Sequence, residues 1–430
     1  MARSRSAAAL VSALLAVSPL LTGGTTPLAA PAGVAALVPH PGQVAVAARA
    51  PHRPCPEPSP AVPRPSHPAR PTPDATQGAV GGPALATAGL ATAPGTPTPP
   101  PVTATSWVVA DLNTGAVLGA CGPHEYGVPA SVQKLLLAAA FMPDLKPEQK
   151  VRVTAGDLDF EPGSSAMGLV LDGEYTVETL WLGLLLNSGN DAANTLARLG
   201  GGPDGLAGGL REMNAEARRL GAYQTHAATP SGLDGPGQYT SAYDLALIAR
   251  ACFAREDFRR YASTREAQVP AQPPAHARGF AMFNDNQLLF KYPGALGGKT
   301  GYTDLARHSF VGAAERDGRR LLVTLLGAEN QPQAGWQQGA ALLDWGFGLR
   351  PDTAVGRLVD RTPDRSTASP AAAAPSAVAR AAAEGAAEVR PAGGTGERSP
   401  LLLAALAGGG LAALVLLFAL VRRRRARRGM

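Results

Sequence analysis

Aromatic side chains are scarce in this chain and unevenly placed. Of 22 in 430 residues, none precedes Trp107, and only Phe418 follows Phe347. The flanks therefore lack the large apolar groups that build a core, and the 241 residues from 107 to 347 are enough for one domain or two small ones. Sixteen of the 40 prolines fall between Pro51 and Pro101. Such a segment reads as an extended, solvated tether. An excess of basic charge is also missing from the middle of the chain. The net charge of +6 comes from Arg3, Arg5, Arg422 to Arg425, Arg427 and Arg428, and what remains is 31 basic against 33 acidic residues. No basic domain exists to grip phosphates, so nucleic acid is excluded as a partner. The seven histidines form no H-E-x-x-H or paired Cys/His spacing, so neither a metal nor a cofactor is expected. Gly200, Gly202 and Gly205 make a lone G-x-G-x-x-G after a helix rather than a strand, which reads as a turn.

Both ends address a membrane. Arg3 and Arg5, an apolar run from Ala7 to Leu21 and then small residues read as a secretory signal within 1–30. Leu401 to Val421 is an uncharged, mostly apolar run of 21 residues, followed at once by the arginine block. That pattern predicts a single membrane-spanning helix with a basic cytoplasmic tail at 422–430 and a domain outside the cytoplasmic membrane. The expected order is signal, tether over 31–105, domain over 106–350, Ala/Pro-rich linker over 351–400, and anchor.

Three cysteines in an exported chain leave at least one unpaired if a bridge forms. Cys55 falls in the expected tether. Cys121 and Cys252 fall in the domain, either as a disulfide or as two buried thiols.

The domain opens with strands near Trp107–Asp111 and Ala116–Ala120, joined across Asn113-Thr114-Gly115. Helices are expected over Ser131–Met142, Thr176–Leu186, Asp191–Leu199, Leu210–Leu220 and Ser241–Ala254. Strands return at Arg307–Glu315 and Arg319–Leu326 around Asp317-Gly318, and a last helix covers Ala334–Trp345. Strands at both ends and helices between predict an α+β fold, an αβα sandwich. Its antiparallel sheet is built from both ends of the domain and covered by helices, with a mostly helical region inserted.

Only five lysines occur, and only Lys134 has a serine three residues before it. Ser131 and Lys134 at i, i+3 share one face of a helix start. A serine hydroxyl attacks poorly until a neighbour removes its proton, and an amine with a lowered pKa can do so. Taken alone, the pair reads more readily as an N-capping serine with a surface lysine one turn on. Ser188-Gly189-Asn190 is the one S-x-N of the chain, in a polar loop between apolar helices; it also reads as a helix stop and restart. Lys299-Thr300-Gly301 lies on an expected strand, where an edge can bind an extended peptide and a Lys-Thr pair can hold a carboxylate. Gly301 permits close backbone approach.

S-x-x-K, S-x-N and K-T-G in this order, 57 and 111 residues apart, resemble the penicillin-recognising serine acyltransferases. The stretches LLLNSGNDAANTLA, TPSGLDGPGQYTSAYDLALIAR and GGKTGYTDLARHSFVGAAERDG are similar to those of the low-molecular-mass penicillin-binding D-alanyl-D-alanine carboxypeptidases. The resemblance implies a β-lactamase/transpeptidase-like fold and a serine peptidase. Its substrate would be a peptidoglycan stem peptide ending in D-Ala-D-Ala, and β-lactams would inhibit it. It implies Ser131 as nucleophile, Lys134 as base, Ser188 and Asn190 as proton relay and amide contact, and Lys299 and Thr300 as carboxylate receivers. The N–H groups of Ser131 and Tyr302 would form an oxyanion hole beside Gly301. Arg307 is a weaker candidate for charge near that carboxylate, and His124 is expected to have no role. A β-lactamase is the rival enzyme, but neither Glu174 nor Glu178 sits in an E-x-x-L-N pattern. A non-catalytic surface scaffold of the same fold is the other rival. The all-β domain that follows the catalytic one in many members has no counterpart after residue 347.

Overall fold

The computed structural model describes residues 53–59, 61–62, 71–72, 74 and 76–360. Strands are β1 (Leu90–Thr92), β2 (Ser106–Asp111), β3 (Ala116–Cys121), β4 (Lys150–Arg152), β5 (Glu174–Thr176), β6 (Glu266–Val269), β7 (Phe280–Phe283), β8 (Ala295–Thr303), β9 (Arg307–Arg316), β10 (Arg319–Ala328) and β11 (Gly356–Arg357). Helices are α1 (Lys134–Phe141), α2 (Val177–Leu186), α3 (Asn190–Gly200), α4 (Gly205–Arg219), α5 (Ala242–Ala254), α6 (Glu256–Ser263), α7 (Leu288–Lys291) and α8 (Gly335–Phe347).

The main sheet runs β1-β3-β2-β10-β9-β8, antiparallel throughout, and joins the two ends of the domain where β2 pairs with β10. Period-2 alternation divides its side chains between two cores. Trp107, Val109, Leu321, Val323 and Leu325 pack with Leu342 and Leu343 of α8. Val108, Ala110, Leu322 and Leu326 pack with α1 and α5. Both faces are buried, so the strands read as continuous apolar runs. The expected αβα sandwich is the observed one, with α2, α3 and α4 in the insertion. Local chemistry set the turns: Asp317 and Gly318 both take positive φ, 51° and 76°, as a two-residue hairpin turn demands. The side chains of Thr176 and Ser241 cap α2 and α5.

Two expected boundaries are corrected. The domain begins before residue 106, because Leu85, Leu90 and Val102 are buried and β1 pairs with β3. It also extends past 350, where β11 pairs with β3 and Leu358 is buried. Proline-rich composition predicted a tether there, but a few apolar residues at suitable intervals were enough to dock the chain. The disulfide is corrected too. Cys55 bridges Cys121, whereas Cys252 is a buried free thiol that donates to Leu135 O. Cys121 ends β3 beside the docked N-terminal segment, and Cys252 lies on α5 in the other core. The expected signal at 1–30 and the spanning helix at 401–421 lie outside the described residues; among the described residues no helix is long and apolar enough to cross a membrane.

Candidate active site

Ser131 sits in a single 3-10 turn, Ala130–Gln133, and Lys134 is the first residue of α1. The expected helix thus starts three residues late, and the difference matters. In a 3-10 turn residues i and i+3 eclipse. Lys134 Nζ therefore lies 2.8 Å from Ser131 Oγ. Ser131 caps nothing, and Lys134 is fully buried rather than exposed. The residue before Ser131, Ala130, takes a positive φ of 49°. This strained turn is held from outside by Ser309 Oγ of β9, which donates to Pro129 O at 2.6 Å.

Lys134 Nζ has two further partners, Asn190 Oδ1 at 2.7 Å and Ser231 O at 2.9 Å. Burial pushes its pKa well below the ordinary lysine range, and the neighbouring charge of Lys299 pushes it further down; Asp191 opposes both. A neutral amine has two N–H groups and one lone pair. Two of the three partners are carbonyl oxygens that can only accept, so they take the two N–H groups. The lone pair is left for the hydroxyl of Ser131, the one partner able to donate. The hydrogen-bond inventory therefore aims a base at that hydroxyl.

The S-x-N loop is not a plain helix restart. Gly189 is the N-cap position of α3, and Asn190 spends its side chain on Lys134 and on Ser164 Oγ, to which Nδ2 donates at 2.9 Å. Ser188 takes a positive φ of 65°, and its buried Oγ has no hydrogen-bond partner among the described residues. An unsatisfied buried hydroxyl at a strained position is available to a ligand.

β8 is the last strand of the sheet, so one edge of K-T-G faces the cavity. Gly301 packs so closely on the turn carrying Ser131 that a Cβ there would lie 2.8 Å from Ser131 N. Lys299 is buried, its Nζ donates to Thr300 O at 2.7 Å, and burial lowers its pKa to about 8. Ser131, Ser188, Asn190, Thr300, Gly301 and Tyr302 line one cavity of about 350 Å³. Lys134 reaches it from beneath through Ser131, and Lys299 lies close enough for its charge to act on Lys134.

Arg307 is engaged elsewhere. Its guanidinium makes two 2.9 Å bonds to Glu329 and one of 3.2 Å to the Tyr302 hydroxyl, so its charge is already paired. His124 is buried between Gln224 and Val80 O, a packing role. Glu174 and Glu178 form surface ion pairs with Arg152 and Arg260.

Three residues of the candidate site were not read from the sequence. Asp191 accepts the N–H groups of Met167, Gly168 and Leu169, each at 2.9 Å, and so fixes the loop that carries Ser164. Ser231 supplies the carbonyl under Lys134, and Gly232 beside it takes a φ of 85° within a close approach to Ala130 O. Asp285 lines the cavity. Asp191 directly follows S-x-N and Ser231 lies in the TPSGLDG stretch, so adjacency to known motifs was the available signal.

Comparison with known proteins identifies the family. The family described as D-alanyl-D-alanine carboxypeptidase, Peptidase_S11, matches residues 93–330. The D-alanyl-D-alanine carboxypeptidase DacB2 of Mycobacterium tuberculosis is 44% identical over 264 residues, 59% of this chain and 86% of that protein. DacD of Escherichia coli is 34% identical over 268 residues, 59% of this chain and 65% of that one. The crystal structure of a D-alanyl-D-alanine carboxypeptidase from Mycobacterium tuberculosis superposes with a TM-score of 0.58 at 40% identity, over 62% of this chain and 99% of that one. The Streptomyces K15 DD-transpeptidase gives a TM-score of 0.56 at 27% identity, over 59% of this chain and all of that one. The chain belongs to the D-alanyl-D-alanine carboxypeptidase family of serine peptidases.

Proposed function

We propose that this chain removes the terminal D-alanine from peptidoglycan stem peptides ending in D-Ala-D-Ala, with Ser131 as nucleophile. Neutral Lys134 takes the hydroxyl proton as Ser131 Oγ attacks the carbonyl carbon of the penultimate D-Ala. The developing oxyanion is held by the N–H groups of Ser131 and Tyr302. Collapse breaks the amide bond. The proton on Lys134 passes through Ser188 to the departing nitrogen, and D-alanine leaves. Water then attacks the Ser131 ester, giving its proton back through the same base, and restores the free hydroxyl. Asn190 orients the substrate amide; Lys299 and Thr300 receive the terminal carboxylate. β-Lactams carry a similar carboxylate and acylate the same serine.

The observation that carries this reading is the set of three contacts of Lys134 Nζ, to Ser131 Oγ, Asn190 Oδ1 and Ser231 O, which in the neutral amine leaves the lone pair for the Ser131 hydroxyl. A non-catalytic scaffold has no use for a buried amine so arranged. The β-lactamase reading loses ground because Glu174 and Glu178 are tied up at the surface. The test is release of free D-alanine from a synthetic pentapeptide ending in D-Ala-D-Ala. Wild type releases it, and Ser131→Ala does not; equal release by both ends the proposal.

The location belongs to the same proposal: a domain outside the cytoplasmic membrane, held by a C-terminal helix at 401–421 with 422–430 on the cytoplasmic side. Its support is the uncharged run followed by six arginines. Truncation before residue 401 then moves the activity from the membrane fraction to the soluble one; an unchanged distribution refutes the anchor.

A further inference from the structure

Beside Ser188 the cavity wall carries a carboxylate that the reaction above does not use. Asp285 follows β7, and its backbone is fixed on every side. Its N–H donates to Leu186 O at 2.8 Å, two residues before Ser188. The flanking asparagines are both buried. Asn284 Nδ2 donates to Thr264 O at 2.9 Å, Asn284 Oδ1 accepts the Asn286 N–H at 2.9 Å, and Asn286 Oδ1 accepts the Leu288 N–H at 3.1 Å. The side chain between them is exposed, faces the cavity, and has no hydrogen-bond or ion-pair partner among the described residues.

Asp285 is the one acidic residue among those lining the cavity. Partial burial raises the pKa of Asp285 and the charge of Lys299 opposes that rise, but the Lys299 ammonium is directed at Thr300 O and no ion pair closes between them. A rigidly presented, unpaired carboxylate at a substrate cavity selects for positive charge. The leaving D-alanine offers none until its amide bond breaks, since before that its nitrogen is an amide. Among the groups of such a peptide, a cation able to meet Asp285 can come only from the acyl side of the scissile bond.

We infer that Asp285 is a specificity-determining residue that favours peptides whose residue before D-Ala-D-Ala carries a free side-chain ammonium over the same peptides with that amine acylated. The inference rests on the proposed carboxypeptidase activity. Its consequence is a preference for stem peptides whose amine has not been consumed in a cross-link.

The test compares kcat/KM for two synthetic peptides, Lys-D-Ala-D-Ala and Nε-acetyl-Lys-D-Ala-D-Ala with blocked α-amines, and the rate of acylation by penicillin. Wild type prefers the free amine by about fivefold, the scale of a partly exposed charge pair. Asp285→Asn brings the ratio to about one, and Asp285→Lys inverts it. A wild-type ratio of one, or a ratio unaffected by Asp285→Asn, overturns the inference. So does an equal change in both peptides and in penicillin acylation, which would mean that Asp285 acts only through Lys299. Failure of the carboxypeptidase reading looks different: wild type then releases D-alanine from neither peptide.

Discussion

Gly301 and Ser131 meet backbone to backbone: a Cβ at 301 would sit 2.8 Å from Ser131 N and 3.1 Å from the Cβ of Ala130. The third residue of K-T-G is thus a spacer that lets the turn carrying Ser131 pack against an edge strand. Gly301→Ala forces the turn away from β8. Acylation by penicillin should fall by about 100-fold or more, the scale of losing an oxyanion-hole donor. The overpacking itself should cost about 1–3 kcal/mol in a denaturant melt. Normal acylation in this variant would contradict the spacer role.

The two buried lysines predict the pH profile. In the proposed reaction Lys134 acts when neutral, and its pKa is pushed down by burial and by Lys299. Lys299 acts there when charged, and its pKa is pushed down to about 8. In kcat/KM, activity therefore rises with pH as Lys134 loses its proton and falls again as pH passes about 8 and Lys299 loses its own. A bound substrate carboxylate stabilises charged Lys299, so the alkaline limb of kcat should lie higher than that of kcat/KM. Lys299→Gln removes the alkaline limb and, by relieving repulsion, moves the acid limb upward. A profile of kcat/KM flat through pH 8 would refute the role of Lys299.

Asp191 holds three N–H groups of the 167–169 loop, and that loop carries the Ser164 hydroxyl bonded to Asn190. Asp191→Ala leaves those donors unpaired at buried or half-buried positions. The expected cost is about 3 kcal/mol in stability and a more than tenfold fall in acylation rate, checked by thermal melts alongside stopped-flow labelling. A stability loss without loss of acylation would restrict Asp191 to packing.

The candidate site was legible in the sequence because its residues are concentrated in short motifs with few competitors, above all the one serine placed three residues before a lysine. The helices around it were legible because some, such as α1 and α2, are apolar on most faces and others, such as α3 and α4, carry a clear apolar stripe. What sequence could not supply was tertiary neighbourhood. Cys121 bridges Cys55, 66 positions away, in a segment whose prolines and missing aromatics predicted no packing at all. Leu85, Leu90 and Val102 are too few to announce a core, yet each fills a place on an existing one. Asp191, Ser231 and Asp285 matter through bonds or cavities formed by distant residues, which no local pattern records.

The disulfide yields a simple check. One thiol per chain, Cys252, should react with a thiol reagent in denaturant without reductant, and mapping should recover Cys55 linked to Cys121. Cys55→Ser should lower stability by about 2–4 kcal/mol by releasing the loop closed in the unfolded chain. Recovery of a Cys121–Cys252 peptide would contradict the structure.

Peptide mapping after reaction with penicillin measures most directly whether Ser131 is the activated group. The account predicts one acyl adduct per chain, on Ser131, absent from Ser131→Ala and strongly slowed in Lys134→Ala. An adduct on any other residue, or one that survives Ser131→Ala, would contradict it.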